Sequence, residues 1–336
     1  MKIAILTPTL SYYSGIDRVV EQQALDYSKR GNKVTVFALE ADLKPKGFKL
    51  EIIGMPKSLF LQRLYRLFFF FSFIKIKNIA EKLKDYDVVV SHQYPMNLIA
   101  YSAKKRYNVK YIYYNHGIGY SELFANIPER LYMRLFAFFS KMSLKNADSA
   151  ISISRFMQSE LKKETGLNSK VVYNKVDKKR FRKGLDRGRI RKKLRIGGNE
   201  KLLLFVGRLS PHKNVHTLLE IFSIVNKKIQ NAELLIVGKP TFQNYYKKLE
   251  SMPNKNVIFR EFVNDKELPY YYAASDLYVT ASLWEGFNLP AAEAQACGKK
   301  VVAFDVCSHP EVIRNGVLVK KNDIRGFADA VIRLLK

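Results

Sequence analysis

The sequence has few cysteines and few acidic residues for its size. Only Cys297 and Cys307 occur among 336 residues, which excludes a disulfide framework and is compatible with a reducing cytosol. Acidic residues number 30 against 58 lysines and arginines, so the net charge is +28, and the basic residues occur in both halves of the chain. Such an excess favours an anionic partner: nucleic acid, an acidic membrane surface or a phosphorylated ligand.

Long apolar runs are also missing. Polar residues follow the short apolar run at 3–6, so we expect no secretory signal and a cytoplasmic chain. The most hydrophobic stretch begins at Leu59, but its longest uncharged part is 67–74. A membrane-spanning helix needs about twenty apolar residues. We therefore expect no transmembrane helix.

Several common site motifs do not occur. The chain contains no G-x-G-x-x-G, no G-x-x-x-x-G-K-[ST] and no serine nucleophile elbow, which argues against a dinucleotide enzyme, a P-loop nucleotidase and a serine hydrolase. "DYD" at 85–87 precedes its strand, whereas a metal site should follow one, and we expect no metal. The scattered histidines are interpreted as structural or surface residues: His92, His212, His216 and His309.

Apolar strands alternate with amphipathic helices along most of the chain. "KIAILTP" predicts a buried strand, "GIDRVVEQQALDYSKRG" a helix that stops at Gly31, and "KVTVFAL" a second strand. The alternation continues to the last helix, "RGFADAVIRLLK". It predicts an α/β protein with two Rossmann-like, doubly wound parallel-sheet domains facing across a cleft, residues 1–175 and 201–336, joined by a charged linker at 176–200.

The second domain opens with a strand, a polar turn and a helix, "LLLFVGRLSPHKNVHTLLEIF". Gly207 would let a ligand approach the backbone, Arg208 offers a planar fork for phosphate oxygens, and Lys213 adds a charge near the amino end of the helix. This combination predicts a diphosphate site. The alternative is that Arg208 and Lys213 are two solvated cations in a basic chain.

The stretch "ASLWEGFNLPAAEAQACG" carries two acids. Pro290 suits the first position of a helix that stops at Gly298, so Glu285 lies in the preceding turn and Glu293 about one turn inside the helix. The amides of residues 286–289, the last of which is Leu289, and the helix dipole could hold an anion between the acids. The pattern favours a sugar joined to phosphate. The alternatives are a solvated turn acid and an acid that only favours the dipole.

These motifs resemble those of the retaining glycosyltransferases of family 4. The similarity lies in "GRLSPHKN", "SLWEGFNLPAAEAQACGKKVVAFD" and "HPEVIRNGVLVKKND", and it continues in "RGNKVTV", "NHG", "ADSAISIS" and "NKVD" of the first half. It covers nearly the whole chain, and the C-terminal motifs in this order are specific. Glycine is usual in the family where this sequence has Ser14, Lys175, Glu261 and Asn288.

The resemblance implies the GT-B fold and the E-x7-E motif. It implies a nucleotide-diphospho-sugar donor held mainly by the C-terminal domain, an acceptor held mainly by the N-terminal domain, and retention of the anomeric configuration without a cofactor or an obligatory metal. Arg208 and Lys213 would stabilise the departing diphosphate, Glu285 would contact the transferred sugar, and His116 would face that sugar from the first domain. The remaining donor-binding positions would be Gly15, Gly286, Phe287, Asn288 and Glu293, the last on the ribose hydroxyls.

Residues 58–84, "SLFLQRLYRLFFFFSFIKIKNIAEKLK", read as a helix whose aromatic residues wrap most of the way around. A helix packed on one domain needs only one apolar stripe, so some phenylalanines should be exposed. With flanking cations, the segment suits the headgroup layer of an anionic membrane, and 130–145 repeats the chemistry. The alternatives are core helices or a dimer contact. The resemblance suggests a lipid-linked or glycan acceptor at the cytosolic membrane face; the competing function is a non-catalytic sugar-nucleotide or nucleic-acid binding protein.

Overall fold

The computed structural model describes residues 1–11, 15–43, 45–117, 121–124, 126–144, 146–252 and 255–336. The chain divides into two compact units, Met1–Asn174 and Lys175–Lys336. Each unit has its own parallel sheet with helices connecting successive strands. The fold class expected from the sequence, two Rossmann-like α/β domains, is confirmed.

The first unit is built on a seven-stranded sheet in which every neighbouring pair is parallel. Its strands are β1 (Lys2–Leu10), β2 (Lys33–Ala41), β3 (Lys49–Ile52), β4 (Val88–Ser91), β5 (Lys110–Asn115), β6 (Ser149–Ser152) and β7 (Lys170–Val171). The order is β3-β2-β1-β4-β5-β6-β7, so the winding reverses between β1 and β4. Ligands of such sheets bind beyond the carboxyl ends of the strands near this reversal.

The helices of the first unit are α1 (Gly15–Lys29), α2 (Leu59–Leu67), α3 (Phe73–Lys82), α4 (Met96–Tyr107), α5 (Ile127–Met142) and α6 (Arg155–Thr165). Their ends follow local sequence signals. The amide of Met157 donates to the hydroxyl of Ser154 at 3.1 Å, which caps the start of α6, and Gly166 ends it at a φ of 74°. Gly31, at a φ of 79°, follows α1, as the sequence predicts.

The second unit has a six-stranded, fully parallel sheet in the order β10-β9-β8-β11-β12-β13. Its strands are β8 (Lys201–Val206), β9 (Ala232–Val237), β10 (Val257–Arg260), β11 (Leu277–Thr280), β12 (Lys300–Phe304) and β13 (Gly316–Val319). Its helices are α7 (Gly188–Leu194), α8 (Val215–Lys228), α9 (Gln243–Glu250), α10 (Leu268–Ala274), α11 (Leu289–Ala296), α12 (His309–Val312) and α13 (Ile324–Leu335). Because β8 and β11 are neighbours across the reversal, the loops that follow them lie beside each other.

The segment 176–200, interpreted from the sequence as a linker, packs on the second unit. Phe181, Ile190 and Ile196 are buried in an apolar cluster with Tyr272 of α10. The guanidinium of Arg191 donates to the carbonyl oxygens of residues 197, 200 and 274, which ties the segment to the body of the unit. Its charged composition therefore coexists with a set of buried apolar contacts.

The phenylalanine-rich segment is not one continuous helix. α2 ends at Leu67, a 3-10 turn covers Phe69–Phe71, and α3 begins at Phe73. The break is held by packing, because Phe69 is fully buried and the hydroxyl of Tyr94 donates to the carbonyl of Leu67 at 2.7 Å. Within the described ranges, no helix combines the length and the hydrophobicity that crossing a membrane requires.

Candidate active site

Most of the residues singled out from the sequence lie after β8 and β11 of the second unit. Gly207 and Arg208 follow β8, and a 3-10 turn, Pro211–Lys213, leads into α8. Glu285 lies in the loop between β11 and α11. The amide of Leu283 donates to the carbonyl of His212 at 2.8 Å, which joins the two loops directly.

Lys213 and Glu285 form an ion pair. The ammonium nitrogen of Lys213 lies 2.7 and 2.8 Å from the two carboxylate oxygens of Glu285. The side chains are only 14% and 8% exposed. In water such a contact contributes little, but at this degree of burial each charge needs the other, because neither is fully hydrated. The two residues are predicted from the sequence to bind different parts of a ligand, and in the structure they also contact each other.

The loop that carries Lys213 also contains Arg208 and His212. Arg208 is exposed, whereas His212 between them is buried, with its Nδ1 3.0 Å from the hydroxyl of Ser210. Burial lowers the pKa of His212 well below its usual value, and the nearby charges of Lys213 and Arg208 lower it further. His212 is therefore neutral, and the positive charge of this loop is carried by Lys213 and Arg208.

The backbone beside this loop is tightly packed. Gly207 donates its amide to the carbonyl of Val237 at 2.9 Å, and a Cβ at Gly207 would lie 3.1 Å from the ring of Phe205. A Cβ at Gly238 would lie 1.7 Å from the carbonyl oxygen of Gly207, a distance that no side chain can accept. Gly238 is thus required for the close approach of the two strand ends. It is not among the site residues predicted from the sequence.

Glu293 lies inside α11 and is almost completely buried. The hydroxyl of Tyr272, on α10, donates to Oε2 of Glu293 at 2.8 Å. The bond orients the carboxylate. Tyr272 lies in the tyrosine-rich stretch "YYYAA". Nothing in that pattern predicts a contact with an acid further along the chain.

The amino end of α11 is built around Asn288. The helix begins at Leu289, one residue before the expected Pro290, and Asn288 has a left-handed φ of 65°. Its Oδ1 accepts the amide of Ala291 at 3.2 Å, and its Nδ2 lies 2.8 Å from Nε2 of His309. Because Nδ1 of His309 must donate to the carbonyl of Phe304 at 2.7 Å, Nε2 is an acceptor and Asn288 is the donor.

The same loop is held at two further points. Ser308 donates its hydroxyl to the carbonyl of Glu285 at 2.9 Å, and the side chains of Phe287 and Leu289 are buried. Gly286 precedes them and needs no positive φ. The candidate donor loop, residues 285–289, is therefore fixed by its own packing.

In the first unit, His116 follows β5 and is almost fully buried. Its Nε2 lies 2.9 Å from Nδ1 of His92, and Nε2 of His92 lies 2.8 Å from Oε1 of Gln23 on α1. Burial lowers the pKa of His116 to about 3 and that of His92 well below its usual value. His92, interpreted as structural or surface, is fully buried and bonded to the predicted site residue. Gly15 is the exposed first residue of α1; the preceding loop, with Ser14, lies outside the described residues.

The structure offers no metal-binding cluster in the part of the chain that it describes: no three His, Cys, Asp or Glu side chains are grouped to hold an ion. Asp87 of the "DYD" stretch accepts the amide of Lys2 at 2.7 Å, a structural bond to the first strand. Cys297 is buried, Cys307 is partly buried, and both are free thiols.

Two family models match the chain. The model described as Glycosyltransferase Family 4 matches residues 13–180, and the model described as Glycosyl transferases group 1 matches residues 186–336. The chain is 27% identical, over 78% of its length and 70% of the relative's, to an Escherichia coli UDP-Gal:alpha-D-GlcNAc-diphosphoundecaprenol alpha-1,3-galactosyltransferase. Several further curated relatives are matched over only half of their own length or less.

Solved structures share the fold. Sucrose-phosphate synthase from Thermosynechococcus elongatus superposes with a TM-score of 0.83 at 20% identity, covering 100% of this chain and 90% of that one. Anabaena Alr3699/HepE, solved in complex with UDP-glucose, gives a TM-score of 0.76 at 21% identity over 99% and 89% of the two chains. Together with the family matches over both halves, these findings show that the chain is a glycosyltransferase of family 4 with the GT-B fold.

Proposed function

We propose that the chain is a retaining hexosyltransferase that moves a sugar from a nucleotide-diphospho-sugar to a lipid-linked or glycan acceptor, without an obligatory metal. The observation that carries the proposal is the grouping at the second unit's strand ends. There the Lys213–Glu285 pair and Arg208 follow β8 and β11, and the buried Glu293 lies on the next helix. Cations, amides and oriented carboxylates are what a sugar diphosphate requires.

In the proposed reaction, the bond between the anomeric carbon and the diphosphate oxygen breaks, and its electron pair remains on the diphosphate. The acceptor hydroxyl forms the new bond on the same face of the sugar, and its proton passes to the departing phosphate oxygen. Lys213 and Arg208 stabilise the charge that develops on the leaving group. Such prearranged electrostatic stabilisation is commonly the largest single contribution to catalysis.

Glu285 has two roles in this proposal. Its carboxylate holds the ammonium of Lys213 in one position. Its oxygens would also accept hydrogen bonds from hydroxyls of the transferred sugar. Glu293, oriented by Tyr272, would accept the ribose hydroxyls of the donor. We further propose that His116 contacts the transferred sugar and that Gly15 lies near the phosphates. A diphosphate-sugar donor is supported by Anabaena HepE, which binds UDP-glucose.

The acceptor is proposed to lie at the cytosolic face of an anionic membrane. Exposed apolar residues of α2, the 3-10 turn, α3 and α5 form what we call the aromatic surface: Phe60, Leu61, Leu64, Phe68, Phe71, Phe73, Ile74, Ile127, Leu131, Phe138 and Met142. α2 packs against α5, and the ring centroids of Phe70 and Phe139 are 4.4 Å apart, so both segments belong to one surface.

Charge supports an anionic partner for the aromatic surface. Lys77 and Arg134 are exposed beside it, Arg63 and Arg66 are partly exposed, and the chain carries a net charge of +28. Exposed aromatic side chains flanked by cations suit the headgroup layer of acidic lipids. The similar Escherichia coli enzyme is named for a diphosphoundecaprenol substrate, which is a lipid.

The activity is tested with a panel of nucleotide sugars, by measuring release of the nucleoside diphosphate and transfer to a lipid-linked acceptor. We expect turnover with at least one donor, and loss of that turnover in the Glu293→Gln variant, which keeps the size of the side chain. If the folded wild-type chain neither transfers nor hydrolyses any sugar of the panel, the proposal is wrong and a non-catalytic binding protein becomes the better interpretation.

Membrane binding is tested by co-sedimentation of the protein with lipid vesicles. We expect the wild type to bind vesicles containing phosphatidylglycerol, to bind phosphatidylcholine vesicles weakly, and to be released by salt. Phe71→Ser/Phe73→Ser should reduce binding, whereas Phe262→Ser, which removes a similarly exposed phenylalanine of the second unit, should not. Preference for duplex DNA over anionic vesicles in a competition assay would contradict the proposal.

A further inference from the structure

The first unit contains three hydrogen-bonded side chains from three separate elements, of which the two histidines are buried and the glutamine is partly buried. Gln23 comes from α1, His92 follows β4, and His116 follows β5. The two contacts are 2.8 Å, between Oε1 of Gln23 and Nε2 of His92, and 2.9 Å, between Nδ1 of His92 and Nε2 of His116. His92 is completely buried, and its ring stacks on that of Tyr114 with centroids 4.9 Å apart. The stacking fixes the plane of the ring.

The direction of the hydrogen bonds follows from the chemistry of the groups. An amide oxygen only accepts, so Nε2 of His92 carries the proton. A neutral imidazole has one N–H, so Nδ1 of His92 accepts, and Nε2 of His116 must donate to it. Nδ1 of His116 is then the nitrogen with the lone pair. Both rings are neutral because burial lowers the pKa of each.

The orientation of the Gln23 amide determines this result. Its oxygen faces His92, while its nitrogen lies 3.5 Å from the hydroxyl of Tyr27. With the amide in this orientation, His92 and His116 each have one defined tautomer. A side chain at position 23 without an accepting oxygen would leave the tautomers of both rings undetermined.

We infer that His92, held by Gln23, is a positioning residue that keeps His116 in the form whose Nδ1 accepts a hydrogen bond from a hydroxyl of the transferred sugar. The inference rests on the proposed function, in which His116 contacts that sugar. It assigns a direction to the contact: the sugar donates and the protein accepts. His116 then distinguishes a hydroxyl from a group of similar size that cannot donate.

The first experiment does not depend on activity. Nitrogen-15 spectra of protein labelled at histidine report which ring nitrogen carries the proton, and the five histidines are assigned by single substitutions. We expect His92 and His116 both in the Nε2–H form at neutral pH. His92→Phe should remove this fixed state at His116. An Nδ1–H form at His116 in the wild type would overturn the inference and would leave the proposed function untouched.

The second experiment tests the role of His92 in sugar transfer. It compares the natural donor with a set of deoxyfluoro analogues, each of which carries fluorine in place of one sugar hydroxyl. Fluorine accepts but does not donate, so at one ring position the wild type should lose about tenfold or more in kcat/KM, the equivalent of about 1.4 kcal/mol. His92→Phe should show the loss with the natural donor and little further loss with that analogue, because the contact is already impaired.

Conservative variants separate positioning from folding. In His92→Asn the amide oxygen can replace Nδ1 as the acceptor for His116, so this variant should recover much of the kcat/KM that His92→Phe loses. Gln23→Met, which removes the acceptor of the first bond, should lower kcat/KM in the same direction. Equal kcat/KM for the wild type and a folded His92→Phe variant would overturn the inference, as would independent losses from His92→Phe and from fluorine at every ring position.

Discussion

The ammonium of Lys213 lies within 2.8 Å of both carboxylate oxygens of Glu285, although 72 positions separate the two residues in the sequence. The pair joins the loop after β8 to the loop before α11. A single geometric contact thus connects the proposed leaving-group cation with the proposed sugar-binding acid. The position of one depends on the charge of the other.

Removal of either charge should destabilise the second unit. Lys213→Met leaves a buried carboxylate without its counter-charge, and Glu285→Gln does the same to the ammonium, so each should lower the free energy of unfolding by about 3 kcal/mol. The double variant Lys213→Met/Glu285→Gln should lose less than the sum of the two. Urea denaturation of the four proteins measures this coupling. Additive losses would mean that the pair contributes nothing as a pair.

Tyr272→Phe should weaken donor binding, and it should also lower the free energy of unfolding, because the hydrogen bond is present without the donor. The variant removes the hydroxyl that donates to Glu293 at 2.8 Å, and a hydrogen bond to a charged group contributes about 1.5–3 kcal/mol. We expect KM for the nucleotide sugar to rise about tenfold or more, with a smaller change in kcat. Tyr245→Phe, which removes another buried tyrosine hydroxyl of the same unit, is the matched control. A similar rise in KM in both variants would contradict the proposed role of Tyr272.

Gly238→Ala should disturb the site through the backbone. The added methyl group would lie 1.7 Å from the carbonyl oxygen of Gly207, so one strand end must move. We expect a loss of stability of about 3 kcal/mol and a fall in kcat/KM, because Arg208 follows the displaced residue. Gly198→Ala, at which a Cβ meets no described atom within 4 Å, serves as the control in thermal unfolding. Unchanged stability of Gly238→Ala would show that the strand ends separate easily.

Stability should fall as the pH drops below about 6.5, the usual pKa of histidine. The pKa of every histidine is lowered in the folded state, first of all by burial: His92, His116, His212, His216 and His309. The unfolded chain therefore binds more protons than the folded one, and acid favours unfolding. The stability that these groups contribute is fully present above pH 6.5 and is lost progressively below it.

Each fully buried histidine should lower the free energy of unfolding by about 1 kcal/mol when the pH falls from 6.5 to 5.5. Urea midpoints at pH 5.5, 6.5 and 7.5 measure the effect. In the variant His92→Phe/His116→Phe the pH dependence of the first unit's transition should become shallower, while that of the second unit should not change. A midpoint that rises between pH 6.5 and 5.5 would contradict the prediction.

The sequence predicts the features that depend on local periodicity. Apolar strands alternating with helices indicate both sheets, and Pro290 places the start of α11 within one residue. The Lys213–Glu285 pair is not predictable in this way, because it depends on β8 and β11 being neighbours although β9 and β10 lie between them in the chain. The break at residues 68–72 is likewise missed, since burial of Phe69, and not helix propensity, determines it.

Histidines are the clearest case of a residue type that sequence reasoning underestimates. His92, His212 and His309 stand far apart in the sequence and have no motif spacing. In the fold each is buried and bonded within 3.0 Å to a polar side chain, which is distant in the sequence for His92 and His309 and two residues away for His212. For His92 and His309 only the arrangement of strand ends brings such partners together, so the contribution of these two residues becomes apparent from the structure alone.

The amide of Asn288 has a consequence for how this sequence can vary. The amide oxygen accepts a hydrogen bond from α11, and the amide nitrogen donates one to His309, 21 residues later. A change to glycine at 288 would keep the left-handed turn but would leave Nε2 of His309 without its donor, and a change at 309 would leave the amide nitrogen unsatisfied. Positions 288 and 309 should therefore tolerate substitution together and resist it singly. The motifs that contain them, although distant in the sequence, should then change in a coupled way.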